Sequence, residues 1–280
     1  MKLIDGKAVS QKIKEDLKLR IDQIKAKGER VPGLAVVLVG ENPASKVYVA
    51  NKIKDCEQVG IKSIHCHLQE HTEKAELIKT IEKLNNDKEI DGIIVQLPLP
   101  KHLNENEILS HISIHKDVDG LSAYQMGKLT LGIPELTPCT PSGVMEMLRY
   151  YEIPTEGKRA VIIGRSNIVG KPMAMMLMKE NATVTVCHSR TKDLAEICSK
   201  GDILVAAVGK ARFVNSDMVK EGAVVIDVGI NRVDGKLCGD VDFDNVADKC
   251  SYITPVPGGV GLMTRAMLLL NTLKAYELYA

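Results

Sequence analysis

The feature that most constrains the fold is the alternation of short apolar runs with helix-like segments along almost the whole chain. Runs rich in valine and isoleucine that are separated by helices are typical of parallel sheets covered on both faces. Strands are expected at 34–39, 62–68, 92–97, 160–164, 183–187, 203–208 and 223–228. The sequence therefore predicts an α/β fold with parallel sheets.

Two stretches rich in proline and glycine divide this pattern: "ELTPCTPSG" at 135–143 and "TPVPGGVG" at 254–261. Four of the predicted strands lie between them, and one more helical segment follows the second stretch. We therefore expect two lobes, with the C-terminal helix returning to the first lobe. A cleft between two such lobes is a typical ligand site.

Composition excludes several classes of protein. The chain has 280 residues and a net charge of +1, so its overall charge does not favour nucleic acid or an anionic membrane. No apolar run approaches the roughly 20 residues of a membrane span, and the first 20 residues lack a signal-peptide core, which favours the cytoplasm. Seven cysteines without a C-x-x-C pair argue against a zinc site or a disulfide framework. His65 and His67 could bind a metal on one strand face, but a half-exposed strand is favoured and no metal is predicted.

The segment "RAVIIGRSNIVGKPMA", residues 159–174, passes from a strand through a glycine turn into a helix. A helix start offers free N–H groups and a positive dipole to a pyrophosphate, and Gly170 allows the helix to pack close to the strand. Arg165 and Ser166 follow Gly164 where a second glycine is usual, and their side chains can bind phosphate. An ordinary strand–helix turn is the alternative.

The next strand ends in His188, Ser189 and Arg190. A site specific for NAD usually places an acidic residue here to hold the ribose hydroxyls, and that acid would repel a 2′-phosphate. Serine and arginine would bind that phosphate. The sequence therefore predicts NADP as the cofactor.

The first lobe carries a helix from about Ser45 to Val59. Tyr48 and Lys52 are four residues apart and share a face, so together they could stack on a flat substrate and move a proton. A solvated helix face is the alternative for this pair. We expect the buried stripe of the helix to comprise Val47, Ala50, Ile53 and Cys56.

Two further polar positions lie near predicted strand ends. Gln96 ends a buried strand, where α/β proteins bind ligands. Asp117 and Asp119 precede a glycine, as in a metal loop, although the further acids of a calcium site are missing and a simple turn is the alternative.

Taken in order, these segments resemble the bifunctional methylenetetrahydrofolate dehydrogenase/cyclohydrolase family over nearly the whole chain. The resemblance rests on "YVANK", "VQLPLP", "KDVDGL", "TPCTPSG", "GRSNIVGKP", "HSRT" and "TPVPGGVG". Leu262 departs from the family, which usually has proline there, but no catalytic group is lost.

The resemblance implies two reactions. A hydride passes from 5,10-methylenetetrahydrofolate to NADP+, and water then opens the methenyl product to 10-formyltetrahydrofolate. It implies a folate-binding domain at 1–138, completed by the helix at 262–280, and a Rossmann-like NADP domain at 139–261. It also implies a homodimer joined through the NADP domain.

The resemblance also assigns roles to residues. Lys52 is the catalytic lysine, Gln96 orients it, Tyr48 stacks on the folate, and Asp119 grips the pterin; Asp117 is structural. Gly258 and Gly259 would let the backbone approach the ligands. The expected NADP contacts are Gly164, Arg165, Ser166, Ser189, Arg190 and Ile230.

Three rival interpretations remain at this stage. The enzyme could be a dehydrogenase without the hydrolase activity, although the pair of Lys52 and Gln96 argues against that. It could be a non-catalytic NADP-binding regulator, which the intact set of four site residues makes improbable. A different two-lobed dehydrogenase, such as one acting on shikimate, shares the architecture, and a substrate screen would separate the two.

Overall fold

The computed structural model describes all 280 residues of the chain. Its strands are β1 (Lys2–Leu3), β2 (Gly33–Val39), β3 (Lys62–Leu68), β4 (Gly92–Val95), β5 (Arg159–Ile163), β6 (Thr183–Cys187), β7 (Ile203–Ala206), β8 (Ala223–Asp227), β9 (Asn231–Val233), β10 (Lys236–Cys238) and β11 (Cys250–Ile253). Its α-helices are α1 (Gly6–Ala26), α2 (Pro43–Val59), α3 (Lys74–Asn86), α4 (Glu105–Ser110), α5 (Ala123–Thr130), α6 (Cys139–Tyr150), α7 (Gly170–Lys179), α8 (Leu194–Cys198), α9 (Phe243–Val246) and α10 (Val260–Tyr279). None of these helices combines the length and the apolar character that a membrane span needs.

The chain divides into two compact units, which are described separately. The first unit comprises Met1–Gln11, Leu129–Ile133 and Thr140–Thr264, and the second comprises Lys12–Lys128, Pro134–Cys139 and Arg265–Ala280.

The second unit is built on a three-stranded sheet in the order β3–β2–β4, and both pairings are parallel. Every residue of β2 and β4 is buried, as expected for central and covered strands. One core lies between the sheet and helices that include α2 and α10, and a second packs the other sheet face against α3 and α4. The sheet therefore has helices on both faces, as the alternation predicted.

The first unit contains a six-stranded sheet in the order β1–β11–β8–β7–β5–β6, with every pairing parallel. The predicted parallel sheet is confirmed, but the expectation of four strands between the two proline-rich stretches was too low. The hairpin β9–β10 and strand β11 also lie there, and β1 adds an outer strand from the N-terminus. These strands are two to four residues long and have no apolar run that sequence analysis could detect.

The two proline-rich stretches are partly helical. Helix α6 begins at Cys139, so Pro141 lies in its first turn, where the missing N–H costs no intrahelical hydrogen bond. Helix α10 begins at Val260, and the amide of Leu262 donates to Gly259 O at 3.3 Å. Leu262 therefore lies in the first turn of α10.

The remaining sequence expectations concern packing and metals. In α7, Met173 and Met176 are buried, so the methionine-rich segment packs in the core as its composition suggested. His65 and His67 stack with ring centroids 5.8 Å apart on β3. The chain contains no cluster of three or more His, Cys, Asp or Glu side chains arranged to hold a metal ion.

Candidate active site

Helix α2 carries Lys52 on the face that it turns to the core. Asn42 caps the helix by accepting from the amides of Ala44 and Ser45, with Pro43 in the first turn. Its buried residues are Ser45, Val49, Asp55, Cys56 and Val59. Lys52 lies between Val49 and Cys56 at helical spacing, so its stem runs along this buried face.

The predicted buried stripe of α2 was therefore partly wrong. Val47 is 61% exposed and Ala50 is also exposed, whereas Ile53 is partly buried and Cys56 is fully buried. Apolar character pointed to the wrong side because the true inward face contains a serine, an aspartate and the site lysine. Tyr48, one turn before Lys52, is 42% exposed, so its ring is accessible from solvent.

Gln96 is the direct partner of Lys52. The Lys52 ammonium nitrogen lies 2.9 Å from Gln96 Oε1 and donates to it. The amide of Gln96 is fixed in turn, because its Nε2 donates to Leu97 O at 2.7 Å and its backbone N–H donates to Val37 O at 2.8 Å. Lys52 thus has a defined position, although it is a flexible side chain that could otherwise adopt many rotamers.

The segment that carries Asp117 and Asp119 runs beside β4. Ile93 and Asp117 form an isolated parallel bridge, which brings the following residues to the carboxyl end of that strand. The Asp117 carboxylate accepts from the amides of Gly120, Leu121 and Ser122 at 2.7–3.3 Å. Its oxygens are committed to this turn, whereas Asp119 is close enough to Lys52 to act on its charge.

The environment changes the protonation of both charged groups. Burial lowers the pKa of Lys52, and the Arg265 guanidinium acts in the same direction, while Asp119 opposes the shift most strongly. Burial likewise raises the pKa of Asp119; Lys52 opposes this, and Asp117 adds to it. A buried amine with a depressed pKa is neutral for a larger fraction of the time than an exposed lysine, and is therefore better able to accept a proton.

Sequence reasoning missed Cys139, which lies between these groups at the start of α6. The thiol is buried, its Sγ donates to Val118 O at 3.3 Å, and it interacts with both Lys52 and Asp119. Burial raises the pKa of the Cys139 thiol well above its usual range, so the group is a neutral thiol. Asn271 of α10 also donates to Val118 O, at 2.8 Å, which anchors the loop that carries Asp119. The motif "TPCTPSG" contains the cysteine, but nothing local in it indicates a position beside Lys52.

In the first unit, Ser166 accepts hydrogen bonds from the amides at the start of α7. Its hydroxyl oxygen accepts from the amides of Val169 at 3.2 Å and Gly170 at 3.4 Å, and its carbonyl accepts from the amide of Lys171 at 3.1 Å. The hydroxyl hydrogen remains available to donate. A serine in place of the usual glycine therefore both organises the helix start and can bind a phosphate oxygen.

Two glycines of this turn are required by close backbone packing. Gly164 has φ +125°, and a Cβ there would lie 2.2 Å from Ala207 O. A Cβ on Gly170 would lie 2.2 Å from Gly164 O. The start of α7 thus packs directly on the end of β5, which places its amides over the carboxyl edge of the sheet.

The predicted 2′-phosphate residues follow β6. The amide of His188 donates to Thr191 Oγ1 at 2.8 Å, and the amide of Arg190 lies 3.1 Å from His188 Nδ1, so the segment forms a tight turn. Ser189 and Arg190 are exposed on this turn, and Arg165 is exposed after β5. These polar side chains therefore remain available to a ligand at the carboxyl ends of β5 and β6.

Ile230 and the two late glycines also lie near carboxyl strand ends. Ile230 follows β8 and is 47% exposed, while Gly258 and Gly259 connect β11 to α10. The chain around Ile230 is held by the Asp227 carboxylate, which accepts from the amides of Gly229, Asp240 and Val241 at 2.9 Å each. Burial raises the pKa of Asp227 to about 6, against the effect of these donors. Asp227 was not among the predicted residues, because nothing in the local sequence indicates that its carboxylate also accepts from Asp240 and Val241.

Comparison with known proteins agrees with this geometry. Residues 4–119 match the family described as tetrahydrofolate dehydrogenase/cyclohydrolase, catalytic domain, and residues 138–280 match its NAD(P)-binding domain. A bifunctional protein FolD of Campylobacter concisus is 59% identical over 278 residues, which cover 99% of this chain and 98% of that protein.

Two solved structures extend the comparison. The crystal structure of the bifunctional enzyme FolD from Campylobacter jejuni superimposes with a TM-score of 0.97 at 54% identity, covering 99% of both chains. The Trypanosoma brucei enzyme, complexed with NADP cofactor and an inhibitor, gives a TM-score of 0.94 at 38% identity, covering 98% of this chain and 97% of its own. The chain belongs to the tetrahydrofolate dehydrogenase/cyclohydrolase family.

Proposed function

We propose that this chain oxidises 5,10-methylenetetrahydrofolate with NADP+ and then hydrolyses the methenyl product to 10-formyltetrahydrofolate, with Lys52 as the group that moves protons. The observation that carries the proposal is the contact between the Lys52 amine and Gln96 Oε1, 2.9 Å long, in a desolvated position beside Asp119. An exposed lysine, with its pKa near 10.4, would be almost fully protonated at neutral pH and could not act as a base.

The residues of the first unit fit NADP. The Ser166 hydroxyl, whose hydrogen remains available to donate, suits the pyrophosphate at the start of α7, while Ser189, Arg190 and Arg165 supply a hydroxyl and two cations where an acid would repel a 2′-phosphate. Gly164 and Ile230 line the same carboxyl edge of the sheet. NADP+, when bound, supplies the acceptor for the hydride of the methylene group.

The residues of the second unit fit the folate. One carboxylate of Asp119 can accept from both the amino group and the ring N–H of a pterin, and the half-exposed ring of Tyr48 can stack on its flat system. Gly258 and Gly259, which belong to the first unit and precede α10, would provide further backbone contacts to the substrate. Hydride transfer requires alignment of the substrate and no base at the migrating hydrogen.

The hydrolytic step does require a base and an acid. As water adds to the methenyl carbon, neutral Lys52 takes the proton that the water loses, and Gln96 Oε1 holds the amine in place by accepting one of its hydrogens. The bond between that carbon and N5 then breaks, the Lys52 ammonium returns the proton to N5, and the hydroxyl proton of the adduct is lost to solvent as the formyl C=O forms. The products are 10-formyltetrahydrofolate, one released proton and a regenerated neutral lysine.

Three further features belong to the proposal. Residues 1–138 with 262–280 bind the folate, and 139–261 bind NADP. The protein acts as a homodimer joined through its NADP domain, which sedimentation equilibrium would test. It acts in the cytoplasm, and its seven free cysteines, five of them buried, are consistent with a reducing compartment.

The decisive experiment compares Lys52→Met with Lys54→Met, a matched substitution of an exposed lysine on the same helix. We expect Lys52→Met to reduce hydrolysis of methenyltetrahydrofolate by roughly 10²–10⁴-fold, the usual scale for general acid–base catalysis. NADPH formation should fall less, because that step needs Lys52 only for positioning, and NADP+ binding should persist.

Both activities are measured separately on one preparation of each variant, with the uncatalysed hydrolysis subtracted. Lys54→Met should behave like the wild type in both assays. Wild-type hydrolysis by Lys52→Met would remove Lys52 from the mechanism. Wild-type protein that forms NADPH but does not hydrolyse the methenyl compound would instead establish a monofunctional dehydrogenase, and no folate binding by calorimetry would indicate a regulator.

A further inference from the structure

Three charged side chains from three helices meet near the C-terminal end of α2. Lys14 of α1 donates to Asp55 Oδ1 at 2.5 Å, and Arg265 of α10 places Nη1 3.2 Å from Asp55 Oδ2. The side chains of Lys14, Asp55 and Arg265 are only 12%, 7% and 19% exposed. Removing charges from water is costly, so a buried group of this kind needs a partner for each charge.

The group is asymmetric in charge. One carboxylate faces two cations, so the three side chains carry a net positive charge inside the protein. Asp55 Oδ2 accepts no hydrogen bond in spite of its short distance to Arg265, so this contact is an ion pair without hydrogen-bond geometry. Asp55 thus fixes the guanidinium by attraction, while its other oxygen is held by Lys14.

The ion pair of Asp55 and Arg265 lies about one turn of α2 from the site lysine. Asp55 follows Lys52 by three residues, about one turn of α2, and Arg265 is one of the charges that act on Lys52. The other titratable groups facing Lys52 are Asp119, Cys139 and Cys56. Burial raises the pKa of Cys56 to about 12 and that of Cys139 well above its usual range, so both thiols are neutral.

Asp119 and Arg265 therefore act on Lys52 in opposite directions. The Asp119 carboxylate favours the ammonium form, and the Arg265 guanidinium disfavours it. A base in hydrolysis must be neutral for part of the time, so a site that needs Asp119 to hold the substrate also needs something to offset its charge. We propose that Asp55, braced by Lys14, is a positioning residue that holds Arg265 beside Lys52, where the guanidinium favours the neutral amine.

This inference rests on the proposed function of Lys52 as the base. A purely structural alternative is that the three charges only tie α1, α2 and α10 together. That alternative predicts a loss of stability on substitution, with no change in the protonation of Lys52. The test therefore measures protonation directly, apart from activity.

The test uses Arg265→Gln, which can still hydrogen-bond to Asp55, with Arg265→Lys as the control that keeps the charge. Trace acetylation of Lys52 is followed by mass spectrometry across pH, because only the neutral amine reacts, and exposed Lys54 serves as the internal reference. We expect the labelling profile of Lys52 in Arg265→Gln to move to higher pH, because a charge that disfavours the ammonium form is removed. At a fixed pH below the midpoint of the profile, the labelling of Lys52 should therefore fall.

In Arg265→Gln, the acid limb of the pH–rate profile for methenyltetrahydrofolate hydrolysis should also move to higher pH. Arg265→Lys should keep the wild-type profile. Asp55→Asn distinguishes a role of Asp55 in positioning Arg265 from a direct effect of the Asp55 charge on Lys52. If Asp55 holds Arg265 in place, its loss releases the guanidinium and the Lys52 profile moves to higher pH. If Arg265 stays without it, loss of the nearby negative charge moves the profile to lower pH, and the inference is overturned.

An unchanged Lys52 profile in Arg265→Gln also overturns the inference, even where that variant is less stable. The proposed function fails separately, when Lys52→Met hydrolyses the substrate at the wild-type rate. The two failures are distinguishable because labelling reports on the amine whether or not it takes part in catalysis. In the double variant Asp55→Asn/Arg265→Gln, a positioning role predicts no shift to higher pH beyond that of Arg265→Gln alone.

Discussion

Gly170→Ala offers a sharp test of the nucleotide turn, because the structure sets the size of the clash. The added Cβ would lie 2.2 Å from Gly164 O, about 1 Å inside the roughly 3.3 Å of a close carbon–oxygen contact. The backbone fixes the position of the Cβ, and Gly164 O is a backbone atom, so no side-chain rotation can relieve the overlap. The start of α7 must move away from the end of β5, at the roughly 1–3 kcal/mol typical of overpacking.

Gly127→Ala is the matched control. Gly127 lies in the interior of α5, is exposed, and a Cβ there would meet nothing within 4 Å. The same substitution should stabilise the protein by about 0.5–1 kcal/mol, because alanine loses less conformational freedom in a helix than glycine does. The two variants should therefore differ in sign.

Scanning calorimetry and NADP+ titration measure both effects. A change of 1 kcal/mol shifts Tm by about 2–4 °C in a chain of this size, so Gly170→Ala should lower Tm by about 2–12 °C and Gly127→Ala should raise it by about 1–4 °C. Moving the helix start by about 1 Å should weaken NADP+ binding by about tenfold or more in Gly170→Ala only. If Gly170→Ala raises Tm and leaves the Kd for NADP+ unchanged, the close approach of α7 to β5 is not what the site requires.

Three further substitutions test single contacts. Arg190→Ala should raise KM for NADP+ by roughly ten- to a hundredfold through loss of a charge-assisted contact, with little effect on NAD+; equal effects on both cofactors would show that Arg190 does not meet the 2′-phosphate. Ser166→Ala removes the acceptor for the amides of Val169 and Gly170 and should destabilise the protein by about 1 kcal/mol, with weaker NADP+ binding, whereas Ser166→Thr should retain both; an unaltered melting curve for Ser166→Ala would refute the capping role. Asp119→Asn should weaken folate binding and slow both reactions, because an amide accepts only one of the two pterin hydrogen bonds and carries no charge; wild-type KM and kcat would place the pterin elsewhere.

Much of the fold was decided by local sequence. The runs that form β2, β5 and β8 were placed to within one residue, because valine and isoleucine fit a buried parallel strand and little else. The helix that carries Tyr48 and Lys52 was also predictable, and their spacing alone put them on one side of it. The turn after β6 contains no acidic residue, which is why the sequence alone favoured NADP over NAD.

The site itself depends on contacts that no local pattern reveals. Lys52 meets Gln96 across 44 positions of sequence, and Cys139 and Arg265 reach the same lysine from two other helices. Apolar patterning even assigned the inward face of α2 to Val47 and Ala50, because it gives no weight to a buried lysine. Whether that lysine is an inert ammonium or a usable base depends on its desolvation and on the charges around it. Those are properties of packing between distant segments, and only the tertiary structure determines them.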